Sequence, residues 1–151
     1  MVGLFHDDAT FQFGKIKGDW KIFIDKAKAI VNPMTSTHHQ IGNILFDFKG
    51  DVAKVETYCT ATHIIPADYP ENLPPFHSLG KRYVCTIGLR YIDRFEKRSG
   101  EWRIAARVGV YDWRQDMDLN DGGIFDGPSE ILGQHGHNDP STAIVKAWRN
   151  I

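Results

Sequence analysis

Apolar positions recur along this chain at two periods, one helical and one extended. Trp20, Phe23, Ile24, Ala27, Ile30 and Val31 repeat at helical spacing, with Lys21, Asp25, Lys26 and Lys28 between them. Asp19, directly after Gly18, is a suitable N-cap, and Asn32-Pro33 supplies a stop, so the pattern predicts a helix over 19–31. Ahead of it, Thr10 and Gln12 alternate with Phe11 and Phe13, predicting a short strand over 9–13. From His38 onward the period becomes two. Segments 39–48 and 52–65 are rich in Ile, Val, Thr, Tyr and Phe and meet at Lys49-Gly50-Asp51. Segments 81–97 and 101–113 form a second pair around Arg98-Ser99-Gly100. Two long hairpins, one further strand and one helix predict an α+β fold: a curved, mostly antiparallel sheet of about five strands packed on helix. Strands well beyond the usual ~5–6 residues must coil or bend, so bulges are expected.

Residues 66–80 carry four prolines and read as an ordered loop. Residues 114–139 are polar and Gly-rich and read as a surface-wrapping tail, after which Asp139-Pro140 opens a short helix over 141–148. There is no internal repeat and no interdomain linker. One domain over 1–151 is expected, with its core at about 4–113. The length of 151 residues suits this, and 42% hydrophobic positions can fill a core without disulfide support. Eighteen Lys and Arg against 19 Asp and Glu leave a net charge of −1, which excludes a global pull toward nucleic acid or an anionic membrane. No apolar run is long enough to span a bilayer, and MVGLFHDDATF is not patterned as a signal peptide. Cys59 and Cys85 fall in apolar runs of different strands and read as buried thiols, consistent with a cytoplasmic domain.

The segments LFHDDATFQFG, THHQIGNILFDFKGDVAKVETYCTATH and RYIDRFEKRSGEWRIAARVGVYDW together resemble the SnoaL-like branch of the nuclear transport factor 2-like superfamily. The resemblance covers about residues 4 to 113, and the late DPS before the last helix recurs in that branch as well. It implies a cone, with a strongly curved sheet wrapped around helices and a pocket in its concave face. Members include dehydratases, isomerases, dehydrochlorinases and polyketide cyclases, together with non-catalytic binding domains. In those relatives LFHDDA follows about 30 residues of helix, which carry an Asp that orients the catalytic His. Here LFHDDA stands at the start of the chain, so the expectation is either a misplaced start or a cone closed by something else, the 114–151 tail or a second subunit.

His39, four residues before Asn43, falls where the resemblance places a catalytic His. An imidazole near its ordinary pKa is suited to proton abstraction near neutral pH; the alternative is a hydrogen bond within the strand end. Arg107 falls where pocket-lining basic residues occur, as a donor to an oxyanion or leaving group, or else in a salt bridge to Asp93 or Asp112. His63, Tyr91 and Asp93 are candidate substrate-binding residues, Asp93 by orienting His39 or pairing with Arg107. Each could equally be a sheet-pairing or strand-end contact. Tyr58 and Trp113 read as core or pocket-wall aromatics. His135 and His137 invite a metal, but no third ligand stands at a recognisable spacing, so no metal is expected. Hydrolase-elbow, Walker A and dinucleotide motifs are absent from the sequence.

The resulting expectation is a cofactor-independent dehydratase, isomerase or lyase acting on a small hydrophobic, cyclic or polyketide- or terpenoid-like molecule. His39 would be the general base and Arg107 the stabiliser. The alternative from another class is a non-catalytic ligand-binding or dimerisation domain. The expected partners are a small hydrophobic molecule and a second copy packed on the outer sheet face, with neither nucleic acid nor membrane.

Overall fold

Hairpin turns and one capped helix punctuate the chain where its glycines, proline and aspartate require. In the computed structural model, which describes residues 3–119, 133 and 139–142, the elements run β1 (Phe5–Phe13), β2 (Ile16–Asp19), α1 (Trp20–Val31), β3 (Ser36–Lys49), β4 (Val52–Ile65), β5 (Tyr83–Arg98) and β6 (Glu101–Asp118). Asp19 caps α1 by accepting from the Lys21 amide at 2.6 Å, and Asn32 closes the far end. Ser99 and Gly100 both take positive φ between β5 and β6, the twist a two-residue hairpin needs.

All six strands join one curved, unclosed sheet in the order β2-β1-β6-β5-β4-β3. Pairings are antiparallel except β1 with β6. The expected count of about five rises to six because β2, a four-residue strand next to the helix, carries too little alternation to show in sequence. The tail expected from residue 114 instead begins later: β6 runs to Asp118, paired through Tyr83↔Asp118. Its last residues alternate polar side chains that read as loop, yet β5 supplies them with hydrogen-bonding partners. Of the helix expected over 141–148, residues 140–142 are helical, and the rest lies outside the described residues. Asp139 caps it, accepting from the Ser141 amide at 2.9 Å.

The expected bulges occur in β3 between Ile41 and Ile44, and in the β5–β6 pairing at Gly88/Leu89 and Arg94/Phe95. Between β4 and β5 the register is unbroken. The odd-numbered residues of these two strands therefore share the concave face, and Ala53, Val55, Cys59, Ala61, His63 and Ile65 are all buried.

Two buried clusters fill this face. One gathers Met34, Cys59, Ala61, Ile65, Tyr69 and Phe76 with neighbours on β5. The other, Phe5, Ala9, Phe11, Trp20 and Ile104, holds α1 to β1. Within the second, Trp20 stacks on Phe5 at 5.1 Å and Phe23 on Phe11 at 3.5 Å. The Tyr69 hydroxyl donates to the Ile30 carbonyl at 2.8 Å, tying the proline loop to the end of α1. Cys59 and Cys85 are both buried free thiols, as expected. Helix α1 covers the β1 side of the concavity. On edge strand β3, by contrast, Ile41, Ile44, Phe46 and Phe48 stay exposed on that same face.

Candidate functional site

Cross-strand register arranges the concave side chains in rows. One row reads Thr37–His63–Cys85, the next His39–Ala61–Ile87–Arg114, and further along come Ile44–Thr57–Tyr91 and Phe46–Val55–Asp93–Arg107.

At the first end, His63 is buried and its Nδ1 lies 3.3 Å from the Cys85 carbonyl oxygen. A carbonyl only accepts, so Nδ1 carries the proton and Nε2 keeps its lone pair. That lone pair faces Nε2 of His39, 3.3 Å away. A neutral His39 then donates from Nε2 and presents an unprotonated Nδ1. Burial depresses the His63 pKa to about 4, helped by the neighbouring His39. His39 stands on the edge strand and is exposed overall. Even so, desolvation by its packing, together with the charge of His38, lowers its pKa below the usual imidazole value. Phe76 from the proline loop packs on the His63 ring, with centroids 4.9 Å apart.

At the other end, Arg107 is held by Asp93 through two bonds, Nε to Oδ1 and Nη2 to Oδ2, both 2.7 Å. Asp93 is only 3% exposed, so this is a largely desolvated pair. The guanidinium also lies 4.2 Å from the centre of the Tyr91 ring. Burial pushes the Tyr91 phenol up to about 12. Tyr91 is therefore a neutral donor.

His39 and His63 are thus brought together, as are Arg107, Asp93 and Tyr91. Between the two groups Ala61 and Val55 mark rows six residues apart on β4, about 20 Å along the strand. Cys59, Leu89, Thr57 and Ile44 fill the interval. Asp93 is engaged with Arg107 in this arrangement.

Tyr58 and Trp113 lie elsewhere. Tyr58 is even-numbered on β4 and so faces the convex side, and the Trp113 indole lies across Gly88, where a Cβ would come within 2.1 Å of it. Both line an open convex groove of about 690 Å³ together with Gln40, Asn43, Thr60 and Asp112. A smaller recess of about 280 Å³ lies between Pro75 and Tyr111. Neither is lined by His39 or Arg107. Sequence reasoning passed over Phe76 and the groove residues Gln40 and Asn43, read Cys59 only as a buried thiol, and offered Asp112 as a partner for Arg107, whereas Asp112 pairs with Arg90. Cys59 shares strand parity with His63, and that was the signal available for it. Among the described residues no group of three metal-ligating side chains occurs, and His135 and His137 lie outside them.

A family model described as a SnoaL-like domain matches residues 1–108. The chain belongs to the SnoaL-like domain family. Solved structures similar to this SnoaL-like domain include a type 2 hexachlorocyclohexane dehydrochlorinase, LinA, at 17% identity and TM-score 0.63, covering 82% of this chain and 79% of that one. A candidate scytalone dehydratase from Novosphingobium aromaticivorans is 18% identical at TM-score 0.59, over 79% and 73% of the two chains. A Kribbella flavida protein is 16% identical at TM-score 0.57, over 74% of each. These likenesses establish the nuclear transport factor 2-like cone as the fold. No curated protein matches the sequence. No helix among the described residues is long and apolar enough to cross a membrane.

Proposed function

We propose that this SnoaL-like domain is a cofactor-independent lyase or isomerase that moves a proton on a small hydrophobic, cyclic molecule held against the concave face. The observation that carries this reading is the His39–His63 contact at 3.3 Å with His63 Nδ1 on the Cys85 carbonyl. Burial keeps His63 neutral, the carbonyl sets its tautomer, and His63 in turn orients His39. A neutral, oriented imidazole on the same face as the exposed Ile41, Ile44 and Phe46 is a competent base for an acidic C–H, and once protonated it is the acid that returns the proton. The resemblance of the His39 segment to dehydratase and dehydrochlorinase relatives supports the same role. So does the naming of two structural neighbours as a dehydrochlorinase and a candidate dehydratase.

Tyr91, a neutral phenol beside Arg107, is a donor for a carbonyl or hydroxyl farther along the concave face. Arg107 is largely neutralised by Asp93, which occupies two of its five donors, and it contributes its remaining N–H groups there. Ile44, Phe46 and Leu89 supply apolar contact and exclude water from the bound molecule.

A non-catalytic ligand-binding domain is the second reading, favoured by that same neutralisation of Arg107. Hydrogen–deuterium exchange separates the two readings without knowledge of the product. A panel of cyclic ketones and β-hydroxy ketones is incubated with the protein in D2O, and loss of the acidic C–H signal is followed by NMR. The expected result is accelerated exchange for at least one ring class, lost by about 10²–10⁴-fold in His39→Gln. Binding without any acceleration would establish the second reading.

A further inference from the structure

The convex face carries a second, independent feature. Two bulges fall at the same level of the sheet: β3 places both Gly42 and Asn43 opposite Tyr58, and β6 inserts Asp112 between the partners of Leu89 and Gly88. They flank one uninterrupted stretch of β4–β5 pairing, Tyr58↔Arg90 to Thr60↔Gly88. A bulge bends its strand and re-aims its side chains. Here Asn43 and Asp112 are turned into the same groove, while Gly42 and Gly88 leave its floor without side chains of their own. The groove measures about 690 Å³ and is open to solvent.

Its lining narrows the ligand chemistry. Tyr58 and Trp113 present aromatic surface, 39% and 51% exposed respectively. Gln40, Asn43 and Thr60 add groups that both donate and accept. Arg90 is the cation of the groove, and each of its three nitrogens is already engaged by a carboxylate: Nε and Nη2 by Asp112, Nη1 by Glu56. Two carboxylates thus surround one guanidinium, leaving the centre with a formal charge of −1. An anionic ligand would meet net repulsion from these two carboxylates. A purely apolar ligand would strand the amides and the hydroxyl without partners. What matches is a neutral ring with one apolar C–H face and a rim of hydroxyls.

We infer that this groove is a saccharide-binding site, in which a pyranose ring packs on Trp113 and Tyr58 while Asp112, Asn43, Gln40 and Thr60 hydrogen-bond its hydroxyls. Arg90 fixes the Asp112 carboxylate at 2.9 and 2.8 Å and holds its pKa below the usual carboxylate value, so it stays an ionised acceptor. The site stands on the opposite face from the His39–His63 pair and does not depend on what that pair does.

Protein-observed NMR with glucose, galactose, N-acetylglucosamine and maltose at millimolar concentrations tests the assignment. At least one sugar is expected to shift the Trp113 indole and the Asn43 and Gln40 side-chain amides in a saturable manner, leaving the His39 and His63 rings unmoved. Trp113→Ala and Asp112→Asn are each expected to weaken that binding about tenfold or more. Since Trp113 packs on Gly88 and its loss could loosen the sheet, Gln40→Ala and Thr60→Ala, whose side chains support no core contact, should each weaken it by a few-fold. The inference is overturned if no sugar moves the Trp113 indole, or if the shifts fall on the concave face. Sedimentation showing a second copy packed over Trp113 and Tyr58 would overturn it as well.

Discussion

Two arginines on the same pair of strands are held by aspartates in nearly the same way and do different things. Arg107 of β6 is gripped by Asp93 of β5 on the concave face, both bonds at 2.7 Å. Arg90 of β5 is gripped by Asp112 of β6 on the convex face, at 2.9 and 2.8 Å. The bonding is alike and the surroundings are not. Asp93 has been taken out of water and sits beside Tyr91 and Arg107, whereas Asp112 and Arg90 keep solvent on one side. A buried pair becomes a liability once broken, because its surviving partner has no water to turn to. An exposed pair contributes little, and breaking it leaves both groups solvated. The convex pair is therefore free to serve recognition, while the concave pair is bound up with the integrity of the sheet.

The largest expected effect comes from breaking the concave pair. Asp93→Ala leaves Arg107 unpaired and should cost about 3 kcal/mol, lowering the melting temperature by roughly 10 °C in a thermal melt. If Asp93→Ala melts like wild type, the contrast between the two faces is gone.

Acid probes the uncharged alternative on the same face. His63 titrates at about 4 when folded, against about 6.5 when unfolded, so the folded state binds fewer protons between those values. Stability is full above pH 6.5, falls as the pH drops toward 4, and levels off below. Between pH 7 and pH 5 the loss should be about 2 kcal/mol by urea unfolding. His63→Gln should flatten that dependence, and an unchanged slope would remove His63 as its source.

Close packing supplies an effect of comparable or smaller size. At Gly109 a Cβ would lie 2.0 Å from the Phe13 ring, which in turn stacks on Tyr111 at 4.4 Å. Gly109→Ala should cost about 1–3 kcal/mol, measured by chemical denaturation. The smallest effect belongs to the convex pair, where Asp112→Asn is expected to leave the melting curve unchanged within error. A large drop there would show that the two arginines are equivalent after all.

The helix was readable because Trp20, Phe23, Ile24 and Ile30 repeat at its period and Asp19 announces its start. The long hairpins were readable from alternation, and β4 ends where its pattern does. Strand β2 was not, since four residues with Gly18 among them carry no period. The end of β6 was hidden for another reason: Arg114, Gln115 and Asp116 are polar on both faces, and only pairing with β5 makes them a strand. His39 and His63 stood out individually, but their contact depends on a register across β3 and β4 that alternation alone cannot number. Tyr58 and Trp113 could be named as wall aromatics, while the wall they belong to depends on two bulges that parity does not register.

By itself, then, the sequence determined the periods, turns and caps, and through them a long-hairpin α+β domain with the motifs of the SnoaL-like family. Those features are local, fixed by side-chain size, backbone freedom and spacing along the chain. Tertiary structure alone decided which polar groups lost their water. Burial made His63 a neutral partner for His39, locked Arg107 to Asp93, and left Arg90 and Asp112 at a solvated groove on the other face. Desolvation depends on what packs over a residue, and that covering comes from strands and loops far away in the chain.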